Sequence, residues 1–302
     1  MNLNHLAVFH AVAEEKSVTG AARRLLVSQP AISKQLRQFE KYIGIKLFER
    51  RSRGVRPTEA GTLLASYAMR VFALAEEAEC AVGELRGLKR GRLRVGASTT
   101  VGVYLLPDVF VRFRAAYPGI QLQLDIAPSD TLAKRLRDGS LDIALTEGEI
   151  GDETLESTII MHDKLVAIAP HNHPLARRRS VTAVTLCRQP FVVRETGSGT
   201  QSLVERTLAQ RGITLNPAMS LGSTEAIKRA VASGVGVAII SGLAVALETQ
   251  AKKLVVLRLS DLAISRPLHY VSARNSYLSH SILAFRKMVD DLISKSHDRY
   301  WK

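Results

Sequence analysis

Gln29, Ser33, Lys34 and Arg37 are donors of the kinds that reach base edges and phosphates in a DNA major groove. They sit at helical spacing, opposite Ile32, Leu36 and Phe39, which recur at intervals of four and three. A helix here buries one side and presents the donors on the other. Ser28 supplies its cap and Pro30 lies in the first turn, where a missing N–H costs little. Ser28, Gln29 and Pro30 therefore count with Ser33, Lys34 and Arg37 as candidate DNA-facing residues.

The flanking stretches must position that helix. Upstream, Ser17 caps a shorter helix with Ala21, Ala22 and Leu25 on one face, small where a second helix must approach closely. Leu26 and Val27 make the corner between the two. Downstream, in KLFERRSRGVRPTEAG, Leu47 and Phe48 can anchor a short strand, and Arg50, Arg51, Arg53 and Arg56 crowd a turn containing Gly54. That is the composition of a basic wing, suited to phosphates or a minor groove. A solvated amphipathic helix pair would share the polar outer face but would not need the wing.

The segment from Leu3 to Gly61 closely resembles the DNA-binding domain of LysR-type transcriptional regulators, through the runs SQPAISKQLRQFE and LFERRSRGVRPTEAG. The resemblance implies an N-terminal all-α winged helix-turn-helix with a long linker helix. It also implies a C-terminal α/β two-lobed effector domain like a periplasmic binding protein. The expected domains are 1–58 for DNA binding, 59–88 for the linker and 89–302 for the effector domain. Lobe one is expected over 89–160 and 267–302, and lobe two over 161–266.

Composition agrees with a polyanionic partner. The 302 residues carry a net charge of +14 and are 46% hydrophobic, enough for two or three cored domains. Residues 1–58 hold eleven Lys and Arg against four Glu, so half the excess lies in the first fifth of the chain. Two cysteines, Cys80 and Cys187, make neither a disulfide framework nor a ligand set. The N-terminus lacks a signal peptide's basic start and apolar run, and no segment approaches a membrane span, which places the protein in the cytoplasm. His162, His171 and His173 could be read as metal ligands, but Pro174 and the following arginines read as a surface loop. Arg177, Arg178 and Arg179 read as a solvated loop that could touch DNA. Phosphate-loop, nucleophile-elbow and zinc-helix motifs are absent from the sequence, so no enzyme activity and no cofactor are expected.

Residues 3–15 read as a helix through Leu6, Phe9, Val12 and Ala13. Beyond the wing, Thr58 and Glu59 cap a long helix reaching about Leu88. Leu64, Ala68, Val71, Ala75, Ala78, Val82 and Leu85 alternate spacings of four and three along it, a coiled-coil seam for a homodimer or homotetramer. From Arg92 onward strands and helices alternate, as in α/β architecture. Strands are expected at Arg92–Ala97, Ile120–Ile126, Leu141–Thr146, Lys164–Ala169, Phe191–Val193, Gly236–Ile240, Leu254–Leu259 and Leu268–Ser272. Helices are expected over 101–117, 130–138, 200–211, 224–233 and 276–295.

Three strand-to-helix junctions are rich in hydroxyls: Ser98, Thr99 and Thr100; Thr196, Ser198, Gly199 and Thr200; and Ser223 with Thr224. Each alone reads as a helix cap. Converging between two lobes, they would make an anion site without a metal or a fixed cation. Gly197 and Gly199 around Ser198 let a backbone approach a ligand more closely than a cap needs. The resemblance places an effector there, among Ser98, Thr99, Thr100, Thr196, Ser198, Gly199, Thr200 and Thr224. Many LysR-type relatives carry Arg where this chain has Gln201, which argues against a heavily charged sugar phosphate and favours a small oxyanion. The two alternatives are a small oxyanion linked to sulfur metabolism and a phosphorylated or carboxylate metabolite of carbon metabolism. Glu195 would repel an anion if it faced the cleft. Implied partners are a double-stranded DNA operator, a small anionic effector, and RNA polymerase for an activator.

Overall fold

Helix caps organise the N-terminal unit. The structure is a computed structural model that describes residues 1–51, 54–84, 91–148, 150–274 and 276–300. Helix α1 (Leu3–Glu15) leads to α2 (Val18–Arg24), whose cap Ser17 accepts from the Gly20 amide at 3.1 Å. Helix α3 (Gln29–Ile43) starts at Ser28, which accepts from the Ala31 amide at 3.4 Å. Between them Leu26 takes φ 56° and is 92% exposed, a left-handed corner on a residue with a Cβ. Leu6, Phe9 and Val12 of α1 close over Ala21, Ala22, Ile32, Leu36 and Phe39 in one core.

The wing is a hairpin of β1 (Phe48–Arg50) and β2 (Val55–Pro57). Gly54 turns it at φ 81°, where a Cβ would stand 2.4 Å from the Lys16 carbonyl oxygen. Only glycine lets the turn lie against the end of α1, where the Val55 amide donates to that same oxygen at 3.0 Å. Glu40, buried on α3, accepts from the amides of Leu47 at 2.9 Å and Phe48 at 3.4 Å and from the Lys46 ammonium at 2.7 Å. It staples the recognition helix to the strand that enters the wing.

Helix α4 (Glu59–Glu84) is capped by Thr58, whose Oγ1 accepts from the Gly61 amide at 3.0 Å. Its seven-residue pattern serves two surfaces. Leu64, Ala68 and Val71 pack into the winged-helix core, whereas Ala75, Ala78 and Val82 are exposed. Leu85 and the expected end near Leu88 fall outside the described residues.

The chain divides into two compact units, Met1–Gly87 with Lys134–Asp142, and Leu88–Ala133 with Ile143–Lys302. Beyond α4 the chain runs through β3 (Gly91–Ala97), a π-helical turn at Val101–Leu105, α5 (Leu106–Ala116), β4 (Ile120–Ile126), α6 (Ser129–Arg137), which the unit boundary divides, and β5 (Ile143–Glu147). Strand β6 (Leu155–Pro170) runs for 16 residues, far beyond the expected Lys164–Ala169. Then come α7 (Ala183–Cys187), β7 (Phe191–Arg194), α8 (Gly199–Ala209), β8 (Pro217–Leu221) and α9 (Thr224–Ala232). The chain continues through β9 (Ala238–Ser241), α10 (Ala246–Gln250), β10 (Leu254–Leu257), β11 (Ile264–Ala273) and α11 (His280–Tyr300).

The main sheet has seven strands in the order β10, β6, β11, β5, β3, β4, with β9 also paired to β6. Parallel β3, β4 and β5 form one end; long antiparallel β6 and β11 form the middle. One core gathers Val95, Val109, Phe113, Leu145, Leu268, Tyr270 and Phe285. Others gather Leu165, Phe191, Val204, Ile239 and Ile264, and Ile168, Val192, Ile227, Val231 and Ile240. Strand β11 therefore serves more than one core.

The Glu40 staple has a pH signature. Burial pushes its carboxyl up, but the Lys46 ammonium and the Leu47 and Phe48 amides outweigh burial and hold it below the usual carboxylate range. In the window between that value and an ordinary carboxylate's, the unfolded chain binds a proton that the folded one does not. Winged-helix stability should therefore fall as pH drops through that window. Glu40→Gln should lower stability by about 1–3 kcal/mol at neutral pH and remove that part of the pH dependence. Urea denaturation at a series of pH values measures both; an unchanged pH profile in the variant would count against the staple.

Candidate nucleic-acid interface and effector site

On α3 the donors stand where the pattern requires. Gln29, Lys34 and Arg37 are exposed and Ser33 is half-buried, opposite buried Ile32, Leu36 and Phe39. Gln29 Nε2 donates to Ser33 Oγ at 3.2 Å, so the amide is held against the helix surface. Ser28 is exposed with its hydroxyl engaged as the cap, and Pro30 occupies the first turn. In the wing Arg50 and Arg56 are exposed, and exposed Arg51 lies 3.3 Å from Glu49, a pair of little strength. Arg53 lies outside the described residues.

In the second unit two hydroxyl junctions meet on one cation. Arg266, 6% exposed on β11, donates from Nη2 to Thr100 Oγ1 at 3.1 Å and from Nη1 to Thr200 Oγ1 at 2.8 Å. The same guanidinium pairs with Glu147 at 2.6 Å and Asp163 at 2.9 Å. Burial pushes the Asp163 carboxyl up, against the pull of Arg266 and a 2.8 Å hydrogen bond from Ser241. Glu147 also accepts from the Thr100 amide at 2.9 Å. The sequence reading expects no fixed cation here, and the structure corrects it. Sequence reasoning took Arg266 only as a lobe boundary. The available signal was slight: one arginine in the run ISRPLHYVSA, which also holds two serines and a histidine.

A second guanidinium, that of Arg194, feels the field of Glu147, which is a partner of Arg266. Arg194 donates to Glu195 at 2.8 and 2.7 Å and to Thr224 Oγ1 at 3.3 Å. Hydrogen bonding to Glu195 raises the pKa of Arg194, and the same contact lowers that of Glu195. Glu195 is 42% exposed and so holds Arg194 from the solvent side. Gln201 is occupied locally, accepting from the Arg194 amide at 3.1 Å and donating to Glu205 at 2.8 Å. Another link joins Tyr104, whose hydroxyl donates to Glu225 at 2.7 Å, to Lys228, whose ammonium lies 5.0 Å from the Tyr104 ring centre. Lys228, only 4% exposed, sits 2.7 Å from both Glu225 and Glu248.

The remaining candidates divide. Ser198 caps α8 through the Gln201 amide, while Thr99, Thr196 and Gly199 are exposed. Ser98 is buried and its hydroxyl finds no hydrogen-bond partner. His173 accepts from the Leu175 amide at 3.2 Å, and His171 is exposed. No helix among the described residues is long and apolar enough to cross a membrane.

A winged helix-turn-helix joined to such an α/β unit defines a DNA-binding transcription regulator with a ligand-responsive domain. Residues 3–62 match the model for the bacterial regulatory helix-turn-helix protein, lysR family, and residues 86–293 match the LysR substrate binding domain. The chain belongs to the LysR family of transcriptional regulators. The RuBisCO operon transcriptional regulator of Allochromatium vinosum is 36% identical over 299 residues, 99% of each chain. A probable RuBisCO transcriptional regulator of Synechocystis is 34% identical over 293 residues, 95% of this chain and 85% of that one. A full-length OxyR variant from Pseudomonas aeruginosa shares the fold, with TM-score 0.75 at 23% identity over 97% of this chain and 94% of that one. CbnR does so with TM-score 0.57 at 21% identity over 96% and 100%.

The split between an uncharged amide on α3 and arginines in the wing predicts a separation of base reading from phosphate positioning. Gln29→Ala should weaken operator binding by about 1–3 kcal/mol and leave non-specific binding nearly unchanged. Fluorescence anisotropy on operator and scrambled duplexes decides it. Equal losses on both would remove Gln29 as a base reader.

Proposed function

We propose that this regulator controls carbon-fixation genes and responds to an anionic metabolite seated beside Arg194 and Arg266. The observation that carries the reading is that Thr100 and Thr200, from separate junctions, share one buried guanidinium. The hydroxyl-rich ends thus belong to one site, with the unpartnered Ser98 hydroxyl on the Thr100 junction. Both guanidiniums already hold carboxylates, so an anion binds by exchange. Glu195, the more exposed of those partners, is the one to leave.

That exchange supplies the differential interaction an effector needs, because a ligand with equal affinity for two states shifts neither. Arg194 and Arg266 also furnish the cations that Gln201 does not. This favours a phosphorylated or carboxylate metabolite over a sulfur oxyanion, in keeping with the RuBisCO regulators named among its relatives. The protein acts in the cytoplasm as a homodimer or homotetramer on an inverted-repeat operator. The exposed apolar residues of α4, among them Leu74 and Val82, offer a pairing face. An activator form would also engage RNA polymerase.

Thermal shift with a sugar bisphosphate, a phosphorylated three-carbon acid and sulfate tests the site. Saturation at a hundred times the dissociation constant stabilises the fold by about 2.7 kcal/mol. Thr100→Val should abolish that shift while ligand-free operator binding persists. Glu195→Gln, by freeing Arg194, should tighten the anion about tenfold, equivalent to roughly 1.4 kcal/mol. Unaltered affinity in both variants would leave the junctions as caps only and move the effector elsewhere.

A further inference from the structure

The net positive charge of this chain is uneven along the sequence. Residues 1–58 carry +7 of the net +14. Residues 171–190 hold Arg177, Arg178, Arg179 and Arg188, and residues 251–260 hold Lys252, Lys253 and Arg258, with no Asp or Glu in either segment. These seven cations equal the rest of the excess, so the remainder of the chain is neutral.

The fold brings the two segments together. Strand β10 lies at the edge of the main sheet, and the loop after β6 runs beside it. The His171 amide donates to the Lys253 carbonyl at 3.3 Å, and the Val181 amide donates to the Arg258 carbonyl at 2.9 Å. Arg177, Arg178 and Arg179 lie in the chain between those two tethers. All seven cations are exposed, and among the described residues none forms an ion pair. The nearest acid in sequence, Asp261, accepts from the Ala183 amide at 2.8 Å.

Like charges gathered without carboxylates form a positive field that neutral surroundings do not offset. Guanidiniums match phosphate oxygens in geometry as well as charge. We propose that the β10 edge is a second DNA-contacting surface, which holds the phosphate backbone of duplex flanking the bases read by α3. It carries no sequence information; it adds affinity and salt sensitivity, and favours DNA long enough to reach it. The inference rests on DNA binding by the family and not on the effector reading.

The test uses the full-length protein and two variants, R177Q/R178Q/R179Q and K252Q/K253Q, with DNA from upstream of its own coding sequence. Each variant changes only exposed side chains, and an unchanged melting curve establishes its fold. Affinity is measured by anisotropy from about 50 to 200 mM salt, on a long fragment and on one trimmed to the winged-helix footprint. Each lost phosphate contact should reduce the slope of log K against log salt by about 0.9, so the triple variant should lose about two to three units on the long fragment. On the trimmed fragment it should match the parent, whereas Arg50→Gln should flatten the slope on both. Parental slopes on the long fragment in both variants would overturn the proposal. So would a loss of transcription with the slope intact, which would assign the surface to an acidic protein.

Discussion

A single guanidinium sets the terms for the effector unit. Arg266 is buried, and a buried cation left without partners is destabilising by about 3–5 kcal/mol. Carried by β11, it takes its contacts from four places: β5 supplies Glu147, β6 supplies Asp163, and Thr100 and Thr200 stand at the starts of two helices. None of these elements can shift far without stranding charge. The segments proposed to hold an effector are the same ones that keep Arg266 satisfied, so ligand binding there and internal electrostatics would be one problem. Glu195 on Arg194 repeats the arrangement with a looser partner.

Much of the N-terminal unit was legible because its signals are local. Ser17 and Ser28 cap the helices they were expected to cap, and Ile32, Leu36 and Phe39 are buried on the face their spacing requires. The Glu40 staple was not legible. Its partners lie just before and at the start of β1, six to eight residues on, outside any helical period. Arg266 is the extreme case, with hydroxyl partners 66 and 166 residues away that no window of sequence brings together. The three junctions were visible as helix starts; the cations between them were not, so the expected charge of the site was incomplete.

Two patterns misled for physical reasons. The first half of β6, Leu155–Asp163, mixes buried and exposed positions without strict alternation, because there it pairs only with β11 and the register slips at Ile160. The repeat on α4 is continuous in sequence but not in environment. Leu64, Ala68 and Val71 pack on the winged-helix core, while Ala75, Ala78 and Val82 face solvent. Periodicity reports that a face is apolar; it does not say whether that face meets its own domain or another chain.

The β6–β11 ribbon has a mechanical consequence. The strands pair from Leu165↔Ile264 to Leu155↔Ala273, and the register shifts between Leu268 and His269. Ile264 belongs to one core and Leu268 to another, so the two cores hang from a shared hydrogen-bonded ladder. A ladder of this kind resists stretching but yields to torsion, most easily where its register is broken. Any reorientation of one core against the other is therefore a twist of the ribbon. The two cores are therefore expected to melt as one cooperative unit, since neither can unfold without unpairing strands that the other requires.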